Sequence, residues 1–263
     1  MARAEKKSFW KMLRVAILLI VLATVALNAW RDQNQDWSQP IFVTLYPVNA
    51  DQSSASASYI QKLNTTDFSV IEEYLQQQSQ RYRTQPVQFY FRLAQPVNKL
   101  PPAIPTDSSI FAVMWWSLKF RYYAWRQQQD LGYQPSVSLF LSYYDAKTHP
   151  VLKHSTALEN GRIGVVNLFA STQQAPQNKI VITHEALHAF GAKDKYNLAT
   201  GEPIDPIGYA EPNLSPRYPQ KKAEIMAVAI PLSATKSKMA ESLRYTLVSE
   251  LTAKELGWVR SDK

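Results

Sequence analysis

The segment His184-Glu185-Ala186-Leu187-His188 carries the side chains that a metal-dependent hydrolase needs. On an α-helix, side chains four positions apart point to the same face, so the two imidazoles can bind one zinc ion. Glu185 lies beside that face, where its carboxylate can take a proton from a water molecule at the metal. This H-E-x-x-H spacing therefore predicts a zinc site with its own general base. The alternative is a surface helix with two solvated histidines.

The residues that follow predict a third metal ligand. Gly191 suits the left-handed turn that ends many helices, because glycine has no Cβ to clash there. A chain that reverses at this point can bring Asp194 back to the metal, and two imidazoles, one carboxylate and a water would complete a tetrahedral site. Glu224 is a rival ligand further along the chain, with Glu202 and Glu211 ranked behind it.

The order H-E-x-x-H-x-x-G-x-x-D-x-Y, which ends at Tyr196, resembles the metzincin pattern, although Asp194 stands where metzincins usually carry a third histidine. It is more similar to the snapalysin and immune-inhibitor-A-like metalloproteases, which have an aspartate there and a tyrosine two residues later. The resemblance implies zinc-dependent hydrolysis of a peptide or protein, with Tyr196 as an oxyanion donor or as a support for the ligands. It also implies a methionine turn beneath the metal, which we place at Met226; an ordinary core methionine is the alternative.

The first thirty residues combine a basic end with an apolar stretch. Residues 1–11 form a basic head, and no charged residue occurs in residues 15–30. The 21 residues from Trp10 to Trp30 would form a helix about 30 Å long, close to the thickness of a bilayer core. We therefore expect a transmembrane signal anchor at residues 12–30. A cleaved signal peptide is the alternative.

The charge pattern then sets the expected topology and partners. Because positive charge precedes the span, we expect a single-pass membrane protein with a cytoplasmic N-terminus and its domain on the outer (periplasmic or extracellular) side. The first fourteen residues hold five of the 29 basic side chains and one of the 21 acidic ones, so the remainder carries 24 basic and 20 acidic side chains. That spread-out excess argues against a nucleic-acid partner. The chain has no cysteine, so stability must come from its core and from the metal.

The remaining chain is divided into a polar linker at residues 31–40 and one domain at residues 41–263. Strand patterns occur at residues 41–46, 87–93, 136–143 and 164–170, and helical patterns at residues 67–81 and 108–128. Prolines are frequent after Asp194, and Ser249 and Gly257 mark the start and the stop of a last helix, with Trp258 expected to pack back onto the domain.

This order of elements resembles the upper subdomain of zincins. The resemblance implies an α+β, zincin-like fold: a twisted mixed sheet with a backing helix and an active-site helix, and an irregular C-terminal subdomain. One N-terminal transmembrane helix would precede it. In that family the substrate pairs with a sheet edge, which we place at residues 161–170.

The helix predicted at residues 108–128 has an unusually large apolar face, formed by Phe111, Met114, Trp115, Leu118, Tyr122 and Trp125. The favoured interpretation is a backing helix with this face in the core and its basic side chains extending to solvent. The alternative is a surface for lipid headgroups or a glycan.

Together these patterns predict a membrane-anchored zinc metallopeptidase that uses a zinc-activated water. His184, His188 and Asp194 would hold Zn²⁺, and Glu185 would be the general base. Two alternatives remain: a non-catalytic exported module in which zinc only stabilises a binding surface, and a zinc amidase that acts on cell-wall peptides.

Overall fold

The computed structural model describes residues 2–105, 109–128, 131–153, 155–158 and 162–259. The chain divides into two units, Met1–Asp36 and Trp37–Lys263. The first unit is one long helix, α1 (Ala2–Gln33). The second contains the elements of a layered domain: β1 (Ile41–Asn49), α2 (Ser54–Ile60), a 3₁₀ turn (Thr65–Phe68), α3 (Ser69–Gln80), β2 (Phe89–Leu93), α4 (Ile110–Gln128), β3 (Val137–Tyr144), β4 (Thr156–Leu158), β5 (Ile163–Phe169), α5 (Ala175–His188), β6 (Ala223–Glu224), β7 (Ala229–Ser233), β8 (Lys236–Met239), a second 3₁₀ turn (Leu243–Tyr245), β9 (Thr246–Leu247) and α6 (Glu250–Glu255).

The expected membrane anchor is not borne out. In the part of the chain that the structure describes, no helix has both the length and the apolar character needed to cross a membrane. The residues 12–30 belong to the longer helix α1, which also includes the basic residues of the preceding head. The predicted transmembrane helix and the predicted single-pass topology, with a cytoplasmic N-terminus, are therefore wrong.

The central sheet has the strand order β2-β1-β3-β5-β4. Four strands, β2, β1, β3 and β5, run parallel, and β4 is added antiparallel at one edge. Parallel strands need long crossover connections. Helices α2 and α3 lie between β1 and β2 in the chain, and α4 lies between β2 and β3. The fold is thus mixed α/β around a largely parallel sheet, which corrects the predicted α+β, zincin-like class with its transmembrane helix. Alternating patterns reveal strands, but they do not reveal in which direction the strands pair.

The predicted substrate edge is also wrong. Residue 161 lies outside the described residues, and β5 is an inner strand, paired with β3 on one side and with β4 on the other. The edge of the sheet on this side is β4, a strand of three residues that the sequence patterns did not indicate.

The two faces of the sheet are covered by different helices. One face packs against α2, α3 and α5 in the main core, through residues such as Leu139, Leu141 and Val166. The opposite face, including Phe140, packs against α4 in a second cluster. Helix α5, which carries His184 and His188, and the aromatic helix α4 therefore lie on opposite sides of one sheet.

The last elements agree with the sequence. Ser249 caps α6 by accepting a hydrogen bond from the backbone N–H of Thr252, and Gly257 has a positive φ of 70° just beyond the helix. Trp258 is buried and its ring packs edge-on against Trp37. The predictions for these three positions are confirmed.

Candidate metal centre

Helix α5 presents the two histidines from a buried position. It begins at Ala175, with a proline in its first turn, where a missing N–H is tolerated. Ile180 and Leu187 are fully buried in the main core and fix the rotation of the helix. His184 and Glu185 are only 4% and 5% exposed. The polar end of the helix is thus held inside the domain.

The end of α5 redirects the chain as its sequence predicts. Gly191 has a φ of 96°, and its N–H donates to the carbonyl of His188 at 3.0 Å. The N–H of Ala192 reaches back to the carbonyl of Leu187 at 3.2 Å, which completes a Schellman-type helix end. This reversal returns the chain toward the histidines and places Asp194 beside them.

Three ligand atoms converge at this point. The two Nε2 atoms of His184 and His188 lie 2.9 Å apart. Oδ1 of Asp194 lies 3.1 Å from the first Nε2 and 3.0 Å from the second. Within the described ranges, these residues are the group of histidine, cysteine and acidic side chains whose arrangement could hold a metal ion.

Each imidazole is oriented by a backbone carbonyl on its other nitrogen. Nδ1 of His184 lies 3.2 Å from the carbonyl oxygen of Ile225, and Nδ1 of His188 lies 2.7 Å from that of Ala192. With a proton on each Nδ1, donated to the carbonyl, each Nε2 would become a lone-pair donor once a cation replaces the proton that it shares with Asp194. This is the arrangement that metal-binding histidines usually have.

The residues around Met226 form a turn that contacts both ligand-bearing segments. The carbonyl of Ile225 orients His184, while the carbonyl of Met226 accepts a 3.0 Å hydrogen bond from the N–H of Lys195, the neighbour of Asp194. The side chain of Met226 is fully buried in the main core. The turn therefore lies where a supporting element for the three ligands is needed.

Glu224 shapes this turn and lies outside the converging group of the described residues. Its carboxylate accepts hydrogen bonds from the N–H groups of Met226 and Ser249 and from the hydroxyl of Thr252. Burial raises the pKa of Glu224 above its usual value, although these hydrogen bonds act in the opposite direction. Glu202 and Glu211, the other rivals, are absent from the converging group in the described residues.

The segment that carries Asp194 is tied to α6 by Glu255. Oε2 of Glu255 accepts hydrogen bonds from the backbone N–H of Lys193 at 3.0 Å and from the buried ammonium of Lys195 at 2.7 Å. Gly208 lies against this segment so closely that a Cβ there would overlap the carbonyl oxygen of Lys195. Sequence reasoning did not identify these supports, because their partners are distant in the chain.

Electrostatics favour an ionised Asp194 between the histidines. Burial alone would raise the pKa of Asp194, but hydrogen bonds from His184 and His188 outweigh it and hold this pKa well below its usual value. For His188, burial lowers the pKa, but Asp194 and the charge of Glu185 reverse the effect and raise it. The carboxylate therefore has the charge that a cation site requires.

Tyr196 contacts the same group. Its ring centroid lies 6.3 Å from that of His184, and its hydroxyl shares a hydrogen bond with the Asp194 side chain. Burial, together with the negative charges of Asp194 and Glu185, raises the pKa of Tyr196 to about 12. The phenol therefore keeps its proton at neutral pH and can act as a hydrogen-bond donor.

Two cavities open onto the converging side chains, and Glu185 lines both. One, of about 310 Å³, includes Ser155 and Thr156 at the start of β4. The other, of about 340 Å³, extends away from the ligands and is lined mainly by apolar and amide side chains. Its lining beyond the shared residues includes Phe169, Gln174, Gln177, Asn178, Val181, Val228 and Met239. Glu185 thus faces space in which a substrate and a water molecule can be accommodated.

No model of a known protein family matches the chain, and no curated protein matches it either. Its function is therefore inferred from the geometry of the site.

Proposed function

We propose that this protein is a zinc-dependent metallopeptidase, with His184, His188 and Asp194 as the zinc ligands and Glu185 as the general base. The observation that carries this proposal is the convergence of three ligand atoms, 2.9 to 3.1 Å apart, beside a buried glutamate that faces two cavities.

The donor set fits zinc. Two imidazole nitrogens and one carboxylate oxygen are typical ligands of catalytic zinc, and they leave one position for water or substrate. Ligand atoms around a tetrahedral zinc lie about 3.3 Å apart, so the three atoms would need to separate by only a few tenths of an ångström. The carbonyls behind both imidazoles already select the nitrogen that a metal requires.

Zinc bound here would supply a Lewis acid that polarises the scissile carbonyl and makes water acidic enough to react at neutral pH. The protein supplies the proton transfers. The Glu185 carboxylate accepts the proton of the attacking water and delivers it to the leaving amine. Tyr196 keeps its proton at neutral pH, which suits it to steady Asp194 or to donate a hydrogen bond to the oxyanion.

An extended peptide is the substrate that the surroundings favour. Strand β4 lies at the edge of the sheet, and the adjacent Ser155 and Thr156 line a cavity that also contains Glu185. A substrate strand could add to this edge through main-chain hydrogen bonds and cross the metal residues. A side chain of this substrate strand could enter the cavity of about 340 Å³.

The proposal is tested by measuring zinc content and cleavage of a mixed peptide library by the purified chain, with and without a chelator. We expect one zinc per chain and cleavage that the chelator abolishes and added zinc restores. Zinc binding without cleavage would favour a non-catalytic, zinc-stabilised module instead. Cleavage that survives complete removal of metal would contradict the proposal.

A further inference from the structure

Helix α4 exposes the face that sequence reasoning assigned to the core. Phe111 is 83% exposed, and Trp115, Leu118, Tyr122 and Trp125 are each more than half exposed. The residues that α4 buries are instead Trp116, Phe120, Tyr123 and Ala124. Both faces of the helix are apolar, so its periodicity could not indicate which one packs on the sheet. We define the outer face of α4 as the exposed apolar residues Ile110, Phe111, Val113, Met114, Trp115, Leu118, Tyr122 and Trp125.

The buried side of α4 holds the outer face in place. Phe120 packs with Phe140 of the sheet, and the indole N–H of Trp116 donates to the carbonyl of Pro102. The hydroxyl of Tyr123 donates to the carbonyl of Lys99. Leu100, next along this loop, is also exposed. The outer face is therefore a fixed, outward-facing ridge on a well-packed domain. A contiguous apolar patch of this kind usually marks an interaction site.

The charged residues of α4 are all basic. Lys119, Arg121 and Arg126 are exposed on α4, and the helix contains no acidic residue. The ammonium of Lys119 lies over the ring of Trp115, 5.4 Å from its centroid. Tryptophan and tyrosine beside basic side chains make the composition that helices lying on anionic membrane surfaces show.

We propose that the outer face of α4 docks on the surface of an anionic phospholipid bilayer. The apolar residues enter the boundary between headgroups and acyl chains, while Lys119, Arg121 and Arg126 contact lipid phosphates. This is binding at the membrane surface by a side of the catalytic domain, and it does not depend on the proposed peptidase activity.

The charges favour a lipid surface over a second copy of the chain. Two outer faces packed against each other would bring Lys119 and Arg126 of both copies together, and α4 contains no acidic residue. A membrane at α4 is also compatible with the proposed function, because α4 lies on the opposite face of the sheet from α5 and the proposed metal ligands would stay accessible.

The absence of cysteine allows a local test in the full-length chain. Leu118→Cys places one environment-sensitive fluorophore on the ridge. Leu198→Cys places the same fluorophore at a position that is 72% exposed in the segment after the metal ligands. Each labelled protein is mixed with vesicles of phosphatidylglycerol and phosphatidylcholine in equal amounts, and separately with phosphatidylcholine vesicles.

We expect the emission of the label at position 118 to shift to the blue on the anionic vesicles only, and the label at position 198 to stay aqueous. Each basic residue near an anionic surface contributes about fivefold to binding, so replacing Lys119, Arg121 and Arg126 by Gln should weaken binding on the order of a hundredfold. The same replacement of Lys221, Lys222 and Lys236, which are exposed outside α4, should have a much smaller effect.

Three results would overturn the proposal. The emission of the label at position 118 could stay unshifted with anionic vesicles, or the emission of both labels could shift equally. A blue shift at position 118 that grows with protein concentration in the absence of vesicles would assign the ridge to self-association instead.

Discussion

The buried ammonium of Lys195 lies 2.7 Å from Oε2 of Glu255, and the same oxygen accepts a hydrogen bond from the N–H of Lys193. These two lysines flank Asp194 in the chain, so one carboxylate on α6 holds the backbone on both sides of Asp194, the proposed third ligand. The position of Asp194 therefore depends on a contact made some sixty residues further along the chain.

Replacing Glu255 by Ala should loosen Asp194 without removing a ligand. The change leaves the Lys195 ammonium buried without its partner, a type of loss that costs about 3 kcal/mol or more in stability. We expect zinc affinity to fall about tenfold to a hundredfold, as it does when residues that support metal ligands are removed. Competitive titration with a zinc-binding dye measures the affinity, and urea denaturation measures the stability.

The matched control is Glu250→Ala, which removes an exposed acid of the same helix that pairs with Lys254. This variant should keep wild-type zinc affinity. If Glu255→Ala also binds zinc with unchanged affinity, Glu255 does not position Asp194.

Replacing Asp194 by Ala should lower zinc affinity by more than a hundredfold, because this change removes a ligand atom and not merely its support. Glu224→Gln, which alters the former rival, should leave the zinc stoichiometry at one. The two variants can be compared by metal analysis after gel filtration. Loss of zinc from Glu224→Gln with retention in Asp194→Ala would reverse the ligand assignment.

The buried Glu224 should make the stability of the protein depend on pH. Its pKa in the folded chain is raised from the ordinary value of 4.5, chiefly by burial, so the folded state holds this proton more tightly than the unfolded state does. The stabilisation is full below pH 4.5 and is lost as the pH rises through the folded-state pKa. Glu224→Gln removes this titration. The wild type should therefore lose stability relative to the variant as the pH rises from 4.5 toward neutrality.

Urea denaturation of both proteins at a series of pH values, with chelator present, measures this difference directly. Parallel stability curves for the wild type and Glu224→Gln would show that Glu224 does not titrate differently in the folded chain.

The outer edge of β4 gives a prediction about substrate binding. The carbonyl of Arg162 and the N–H of Ala170 form hydrogen bonds with β3. The backbone N–H and C=O groups of the even-numbered residues of β5 therefore face β3, and those of the odd-numbered residues face β4. Thr156 and Leu158 pair with odd-numbered residues of β5, so their backbone groups face β5. Successive residues of a strand face opposite ways, so the N–H of Ala157 points to the outer edge of β4. Ala157→Pro should therefore remove a donor to the substrate without removing a hydrogen bond of the sheet.

We expect Ala157→Pro to raise KM with little change in zinc content, and Ala157→Ser, which keeps the N–H, to behave like the wild type. Steady-state kinetics on a cleaved library peptide would decide this. An unchanged KM in the proline variant would mean that the substrate does not pair with β4 at this residue.

The sequence was most informative where a feature depends on local spacing. The four-residue interval between the histidines and the conformational freedom of Gly191 are properties of one short segment, and the structure places His184, His188 and Asp194 together. The orienting carbonyl of Ile225 and the tether at Glu255 could not be identified in this way. A backbone carbonyl has no sequence signature, and Glu255 resembles any acidic residue on a short helix.

Longer-range features were predicted less well. Helix α4 is apolar on both faces. The spacing of its apolar residues therefore predicted a helix, but it could not show which face packs on Phe140. The strand pattern covered residues 41–46, yet β1 continues through Pro47 to Asn49. Pro47 pairs in register with Leu141 of β3, but its carbonyl accepts a hydrogen bond from the N–H of Val97 on the other side. The missing N–H of Pro47 therefore faces away from β3, on the side where β2 has already ended opposite Leu45.

The most direct test of the central claim is the activity of Glu185→Gln together with its zinc content. Glutamine preserves the shape of the side chain but cannot accept the proton, so we predict one zinc per chain, unchanged folding and a loss of peptide hydrolysis of at least a hundredfold. Hydrolysis at the wild-type rate by zinc-loaded Glu185→Gln would contradict the account.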